Sequence, residues 1–388
     1  MLEAIDQFRE KGTLDELGIA PVRDAFANTL FPGTSVLQTR ARYFLFVPWI
    51  CLNIERRRIA SSHAADTARR DEVKLIAALL AGGADQDGII GVQARERVRR
   101  TASLAYWNGL LVMGIRRFNG SIDRYFRSLD GYYRANRDAV RGDDGELIGI
   151  STGNWHIELP DPPHGMLERA ELALTVQEAE YLRDRIQEKA PDSLLAVGVS
   201  SARPVADYAQ PWDLFAADTM PSGLHELLGF AHLFSDLTHG AQLLYNRLVA
   251  RLCAHDRSDP EPEDHHTRLA EWQAGHTELA SRLAATDRPR FWEVVVEGNP
   301  NVSGPTRSFV DAWWDLVVVQ DDLAGSRRAQ SLLTERERVL KRGLARLVPE
   351  NVRAREQWRG TAGISQLDYR WPTVRTLITD IQEGLARA

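Results

Sequence analysis

Apolar residues recur every three or four positions along most of the chain, which is the spacing of one face of an α-helix. The longest such segment runs from Ser222 to His255, where Phe230, Leu233, Phe234 and Leu237 fall on one face. The pattern predicts helices over residues 2–11, 17–30, 36–58, 71–80, 104–113, 175–189, 222–255, 267–286, 306–323, 334–347 and 372–385. Short runs rich in β-branched and aromatic residues predict strands over 115–118, 121–125 and 292–296.

One segment, about residues 71–127, has the order of elements of a winged helix-turn-helix. Helix 71–80 comes first, a basic helical turn follows at 93–100, and helix 104–113 comes next. Asn119-Gly120 is a strong signal for a two-residue hairpin turn, because a type I′ turn needs positive φ at both positions. We therefore expect a mainly α, multi-helical fold with a winged helix-turn-helix-like unit, including one small β-hairpin, in the N-terminal part.

Proline-rich stretches divide the chain into predicted domains. Pro160, Pro162 and Pro163 interrupt regular structure, so residues 151–166 are predicted to form a linker. The helix that follows begins with Thr175 and Glu178 in the spacing of a capping box. An acidic, proline-containing run marks a second boundary. The expected domains are an N-terminal helical domain over 1–150, a middle helical domain over 167–256 and a C-terminal helical domain over 257–388.

Charge distinguishes the winged-helix-like segment from the rest of the chain. Residues 93–142 contain eleven Arg and four acidic residues, a local net charge of about +7 in a chain whose total is −6. Guanidinium groups bind phosphates with two hydrogen bonds and also recognise guanine edges. The arginines expected to contact DNA are Arg95, Arg97, Arg99, Arg100, Arg116, Arg117, Arg124 and Arg127. The alternative is that this segment has a structural or protein-docking role.

Other residues that could carry chemistry do not form a recognisable catalytic or metal motif. His225, His232 and His239 lie seven residues apart, about 10.5 Å along a helix, which is too far for one shared metal ion. His232 and Asp236 are spaced to form a pair on one helix face. The phosphate-binding, dinucleotide-binding, nucleophile-elbow and zinc-protease motifs are absent from the sequence. No cofactor or metal is expected. The missing motifs favour a non-enzymatic protein and leave an enzyme of unrecognised type as an open alternative.

The sequence contains only two cysteines, Cys51 and Cys253, and so has no disulfide framework. Its longest apolar run, Tyr43 to Leu52, spans ten residues and is too short to cross a bilayer. We therefore expect a cytoplasmic protein with no membrane contact.

Several blocks of the sequence have a recognisable pattern, namely Thr13–Ile19, Phe31–Ser35, Gln38–Phe44, Tyr106–Leu110, Gly114–Arg116, Gly240–Asn246 and Leu367–Trp371. Together these blocks resemble a bacterial family catalogued as a domain of unknown function, number six-three-six-one. The resemblance implies a gene that lies beside genes for helicases and phospholipase D-like nucleases in anti-phage islands.

With the local charge, this resemblance favours a non-enzymatic DNA-binding or adaptor component of a bacterial defence system. Its helical C-terminal two-thirds would dock a helicase or nuclease partner. The alternatives are a protein-interaction scaffold without nucleic-acid contact and an unrecognised metal-dependent nuclease.

Overall fold

The computed structural model describes residues 15–93, 101–137, 140–141, 147–148, 153–206, 208–214, 220–257, 259, 262–360 and 363–387. In this part of the chain most of the regular structure is helical, as the apolar periodicity predicts. The helices are α1 (Ala20–Leu30), α2 (Tyr43–Arg56), α3 (Ser61–Ala81), α4 (Ala102–Val112), α5 (Ile122–Arg137), α6 (Val176–Lys189), α7 (Leu194–Ser200), α8 (Pro211–Leu214), α9 (Ser222–Arg257), α10 (Glu263–Ala274), α11 (His276–Ala285), α12 (Arg288–Gly298), α13 (Gly304–Val319), α14 (Arg327–Lys341), α15 (Val352–Glu356) and α16 (Trp371–Leu385). Two-residue strands β1 (Val140–Arg141) and β2 (Leu147–Ile148) pair antiparallel.

The chain folds into two compact units, each built from separated segments. The first unit comprises Met1–Thr29 and Ser222–Tyr369, and the second comprises Leu30–Pro221 and Arg370–Ala388. Long-range packing produces this grouping, because the last helix, α16, belongs with α6 and α7 rather than with the helices that precede it in sequence. The division into three domains and a linker stays a prediction.

The second unit is organised around α2, whose apolar run is buried from Tyr43 to Cys51. Just before α2, Arg40 binds the buried carboxylate of Asp380 on α16, with nitrogen–oxygen distances of 2.6 and 2.9 Å. The neighbouring Arg42 pairs with Glu178 at 2.7 Å. Glu178 also completes the predicted capping box with Thr175, which the structure confirms. These hydrogen-bonded charge pairs fix the residues just before α2 to the first turn of α6 and to the interior of α16.

The first unit is organised around α9, the 36-residue helix that the sequence predicts as its longest. Trp313 of α13 is buried and donates its indole N–H to the carbonyl of Leu237 at 2.8 Å. Farther along α9, the hydroxyl of Tyr245 donates to the fully buried carboxylate of Glu337 at 2.6 Å. Lys341 and Arg346 complete this cluster by pairing with Glu16. The unit therefore surrounds α9 with both apolar and ionic contacts.

Three local predictions are corrected by the structure. The predicted hairpin is absent, because residues 122–125 form the first turn of α5, and so the segment is not a winged helix. The predicted strand 292–296 lies within helix α12. The predicted helix 267–286 is two helices, α10 and α11, that meet at Gly275.

The predicted linker also packs against its surroundings where it is described. Trp155 is 5% exposed, and the carbonyl of Pro160 accepts a hydrogen bond of 2.6 Å from the indole of Trp49. These residues therefore belong to the core of the second unit.

Candidate nucleic-acid interface

Arg116, one of the arginines predicted to contact DNA, is buried within the second unit. It is 3% exposed, and its guanidinium carbon lies 4.4 Å from the ring centroid of Trp107. It donates hydrogen bonds to the carbonyl of Trp107 at 3.0 and 3.2 Å and also to the carbonyls of Phe118 and Gly120. Burial lowers its pKa to about 10, so the group is still charged at neutral pH. Arg116 therefore orders the turn that leads into α5, and its guanidinium does not face solvent.

Helix α5 follows this turn and is anchored by aromatic residues on its inner face. The ring of Tyr125 packs edge-on against Trp155, with the centroids 5.8 Å apart. Two turns later, the hydroxyl of Tyr133 donates to the carbonyl of Ile54 at 3.3 Å. Because both contacts reach residues outside α5, the helix has a fixed orientation on the surface of the second unit.

A single carboxylate oxygen joins three segments beneath α5. Oε1 of Glu55, near the end of α2, accepts hydrogen bonds from the hydroxyl of Tyr125 at 2.5 Å, the amide of Asn154 at 3.0 Å and the indole of Trp155 at 3.0 Å. Burial raises the pKa of Glu55, and the three hydrogen bonds oppose that rise. The cluster holds α2, α5 and residues 154–155 together.

The outer face of α5 carries a row of exposed arginines, Arg124, Arg127 and Arg134, which we call the α5 arginine stripe. At 3.6 residues per turn, these three positions lie within about 80° of one another around the helix and span about 15 Å along its axis. Arg117, in the turn before the helix, is also exposed. None of the four forms an ion pair with a carboxylate among the described residues.

Acidic residues near the stripe are few, and one of them is already engaged. The carboxylate of Asp130 accepts a hydrogen bond of 3.0 Å from the backbone N–H of Ser61 and so lies at the N-terminus of α3. A carboxylate at this end of a helix interacts favourably with the helix dipole. Asp123, in the first turn of α5, is exposed. Arg58, just after α2, is exposed and adds positive charge near α5. Burial raises the pKa of Tyr133 to about 12, and the charge of Arg58 opposes this rise, which places Arg58 near Tyr133.

The structure separates the predicted arginines into three groups. Arg95, Arg97, Arg99 and Arg100 lie outside the described residues. Arg116 is buried. Arg117, Arg124 and Arg127 are exposed around the start of α5. Arg134 completes the stripe but was not among the predicted contact residues, although its spacing from Arg124 and Arg127 on one helix would have identified it if the segment had been recognised as helical.

Neither a metal site nor a membrane span is found among the described residues. Among them, no group of three or more His, Cys, Asp and Glu side chains is placed to hold a metal ion. Of the helices in the described part of the chain, none combines the length and the apolar character needed to cross a bilayer.

The fold and this surface define a mainly α-helical protein with an exposed row of arginines on one of its two units. The sequence model of the family of unknown function (DUF6361) matches residues 2–384. The chain therefore belongs to that family. No curated protein and no solved structure matches the chain.

Proposed function

We propose that the second unit binds double-stranded DNA through phosphate contacts made by the α5 arginine stripe and Arg117. The observation that carries this proposal is the placement of unpaired, exposed guanidinium groups along one face of an anchored helix. Duplex DNA carries one negative charge per about 1.7 Å of its axis, so a row of about 15 Å can meet several phosphates at once. Arginine suits this role because its planar group binds phosphate oxygens in pairs.

The proposed binding depends on the phosphate backbone and is weakly dependent on base sequence. Base readout requires a helix or a β-ribbon that enters a groove, and the winged unit that would supply it is absent here. Duplex is preferred to single-stranded nucleic acid because the aromatic residues of α5 are buried or half-buried and offer no stacking platform. These residues are Tyr125, Phe126, Tyr132 and Tyr133.

The proposal also includes an adaptor role beside a helicase or a phospholipase D-like nuclease of a bacterial defence system. This part rests on the family resemblance alone. Co-expression with a helicase or nuclease encoded nearby, followed by purification through a tag on this chain, tests it. A partner that fails to co-purify from such a pair would remove the adaptor role without affecting the DNA proposal.

Fluorescence anisotropy of a labelled 20-base-pair duplex, titrated at several salt concentrations, tests the DNA proposal. Four phosphate contacts give a slope of about −3 to −4 in a plot of log affinity against log salt. The double variant Arg124→Glu with Arg127→Glu should lose at least about tenfold in affinity and should reduce the slope by about 2. Two duplexes of unrelated sequence should bind within a few-fold of each other.

A matched control comes from two exposed arginines of the same unit that lie outside α5 in the sequence, Arg169 and Arg203. The double variant Arg169→Glu with Arg203→Glu makes the same change in net charge and should bind DNA nearly as the wild type does. Equal losses in both double variants, or a flat salt response in the wild type, would contradict the proposal. Tighter binding of double-stranded RNA or of single strands than of duplex DNA would contradict the choice of ligand.

A further inference from the structure

A cleft of about 500 Å³ lies within the first unit, away from the arginine stripe in sequence. Its floor is one face of α9, with His232, Asp236 and His239 at successive turns. Its walls come from α10, α11 and the segment around Ile364. The wall residues include Arg268, Glu271, Trp272, Glu278, Arg282 and Gln366. This volume is within the range of small-molecule sites in proteins.

Asp236 holds the polar walls of the cleft in place. One carboxylate oxygen accepts a hydrogen bond of 2.7 Å from Arg282, and the other accepts one of 2.8 Å from the amide of Gln366. His232 lies 3.5 Å from the same carboxylate, which is the pairing that their spacing in the sequence predicts. Because three side chains from different elements meet at Asp236, the cleft is formed before any ligand enters.

Trp272 is held in place by a hydrogen bond and by close packing against α9. Its indole N–H donates to the carbonyl of Asp236 at 3.0 Å, so the N–H is not available to a ligand. The ring packs directly on Gly240 of α9, where a Cβ atom would come within 2.2 Å of it. The indole is only partly buried and forms part of the cleft wall. A Trp ring in this position is the most favourable aromatic surface for a cation.

His239, which lines the cleft, has a hydrogen-bond acceptor that no described residue occupies. Its Nε2 lies 3.2 Å from the carbonyl of Ile364, and a carbonyl can only accept, so Nε2 carries the proton. In the neutral ring, Nδ1 then carries the lone pair and has no partner among the described residues. Burial lowers the pKa of His239, which favours the neutral form.

The charges of the cleft are unequally paired. Arg282 is paired with Asp236, and Arg268 is paired with Asp264 at 3.2 Å. Glu271 and Glu278, exposed on α10 and α11, form no ion pair with any described residue. The groups left without partners are therefore acceptors and negative charges.

We propose that this cleft binds a small organic cation that carries N–H donors, namely a primary amine or a guanidine. Its N–H groups would donate to Nδ1 of His239 and to the carboxylates of Glu271 and Glu278, and its positive charge would lie against the ring of Trp272. Such a group can come from a free amine or from a Lys or Arg side chain of another protein. The inference does not depend on DNA binding.

Isothermal titration calorimetry of the full chain with agmatine, which carries both an amine and a guanidine, tests the proposal. Binding is expected with a Kd on the order of 0.1 to 1 mM, as is usual for so small a ligand. Tetramethylammonium, a cation without N–H groups, should bind at least about tenfold more weakly, and adenosine monophosphate should not bind. Tighter binding of a short Lys- or Arg-containing peptide than of agmatine would support a protein side chain as the source, and the reverse would support a free amine.

Two variants identify the residues responsible. Glu271→Gln with Glu278→Gln should weaken agmatine binding at least about tenfold, and Trp272→Leu should weaken it to a similar degree. The control, Glu297→Gln with Glu350→Gln, makes the same charge change at exposed positions of the same unit and should leave binding unchanged. Binding of adenosine monophosphate in place of agmatine, equal binding of tetramethylammonium, or an equal loss in the control would overturn the proposal. Should Trp272→Leu prove unstable, the glutamate pair and its control decide the matter alone.

Discussion

Replacing Arg116 by Met separates the structural arginine from the arginines proposed to bind DNA. Met fills much of the same space but cannot donate hydrogen bonds, so the carbonyls of Trp107, Phe118 and Gly120 lose the donor they share. Hydrogen bonds from a charged group contribute about 1.5 to 3 kcal/mol each, and part of that gain is offset by the desolvation of the charge. The stacking on Trp107 at 4.4 Å is weakened as well.

The net effect of Arg116→Met should be a loss of about 3 to 5 kcal/mol from the free energy of unfolding of the second unit. For a unit of about 200 residues, 1 kcal/mol shifts the melting temperature by about 2 to 4 °C, so a decrease of at least about 6 °C is expected. Arg116→Lys keeps the charge but not the planar set of donors, and should lose about 1 to 3 kcal/mol. Urea and thermal denaturation followed by far-ultraviolet circular dichroism measure both values.

The same variant should bind duplex DNA as the wild type does when anisotropy is measured well below its melting temperature. The expected change in affinity is less than about twofold, because the group it removes is 3% exposed. Wild-type stability of Arg116→Met, together with a loss of DNA affinity as large as that of the Arg124 and Arg127 double variant, would contradict the structural role of Arg116. That outcome would mean that Arg116 is exposed to the nucleic acid after all.

Three further substitutions test separate parts of the structure. Gly240→Ala should displace the ring of Trp272 and lower the free energy of unfolding by about 1 to 3 kcal/mol, measured by urea denaturation. It should also abolish the binding of agmatine that calorimetry can detect. Asp380→Asn should lower the free energy of unfolding by about 2 to 4 kcal/mol in thermal denaturation, because it leaves the guanidinium of Arg40 without its charge partner. Wild-type stability of this variant would show that the Arg40–Asp380 pair does not stabilise the second unit. Burial raises the pKa of Glu55 in the folded state, so above pH 4.5 the folded protein binds more protons than the unfolded chain, and the free energy of unfolding falls as pH rises. Glu55→Gln should make this fall shallower in urea denaturation between pH 4.5 and 7. An unchanged pH profile would contradict the raised pKa of Glu55.

The long helices could be predicted because their apolar spacing agrees with their packing. The apolar spacing predicts one helix over residues 222–255, and these residues lie in α9. Thr175 and Glu178 form the capping box that their spacing predicts. In both places the local signal and the tertiary contacts favour the same structure.

The hairpin prediction was wrong because the Asn119-Gly120 turn leads into helix α5 instead of a second strand. The hydroxyl of Ser121 accepts a hydrogen bond from the backbone N–H of Arg124 at 3.2 Å, which starts a helix. The carbonyl of Gly120 accepts from the indole of Trp107 at 2.8 Å, which fixes the turn from outside. The sequence shows Ser121 three positions before Arg124, which is the spacing of a helix cap. It does not show the contact between the indole of Trp107 and the carbonyl of Gly120.

The strand predicted over residues 292–296 failed for a related reason. Three consecutive valines favour a strand, yet Asp287 caps the backbone N–H of Arg290 and Pro289 occupies the first turn, so the segment starts as a helix. Phe291, Trp292 and Val295 then face the core at helical spacing. The capping signal was present in the sequence and outweighs β propensity, which depends strongly on context.

The distinction between Arg116 and Arg117 shows why the candidate interface could be predicted only in part. The two residues are adjacent and chemically identical, but one is buried over an indole and the other is exposed. Local charge counts both equally. Which arginine faces solvent is decided by long-range contacts, such as the meeting of Trp107, Trp155 and Tyr125, and those contacts leave no periodic signal in the sequence.

The absence of the predicted wing at residues 115–125 limits the kind of DNA recognition that the proposed interface can perform. A helix that enters the major groove must present several side chains to base edges, and it must be positioned by a second helix or a strand that grips the backbone. Helix α5 instead has its inner face occupied by Tyr125 and Tyr133 and presents a narrow arginine row outward. A row of that kind can follow phosphates but cannot read bases across the groove. For the same reason, the proposed DNA affinity should vary with salt far more than with base sequence, because phosphate contacts carry no sequence information.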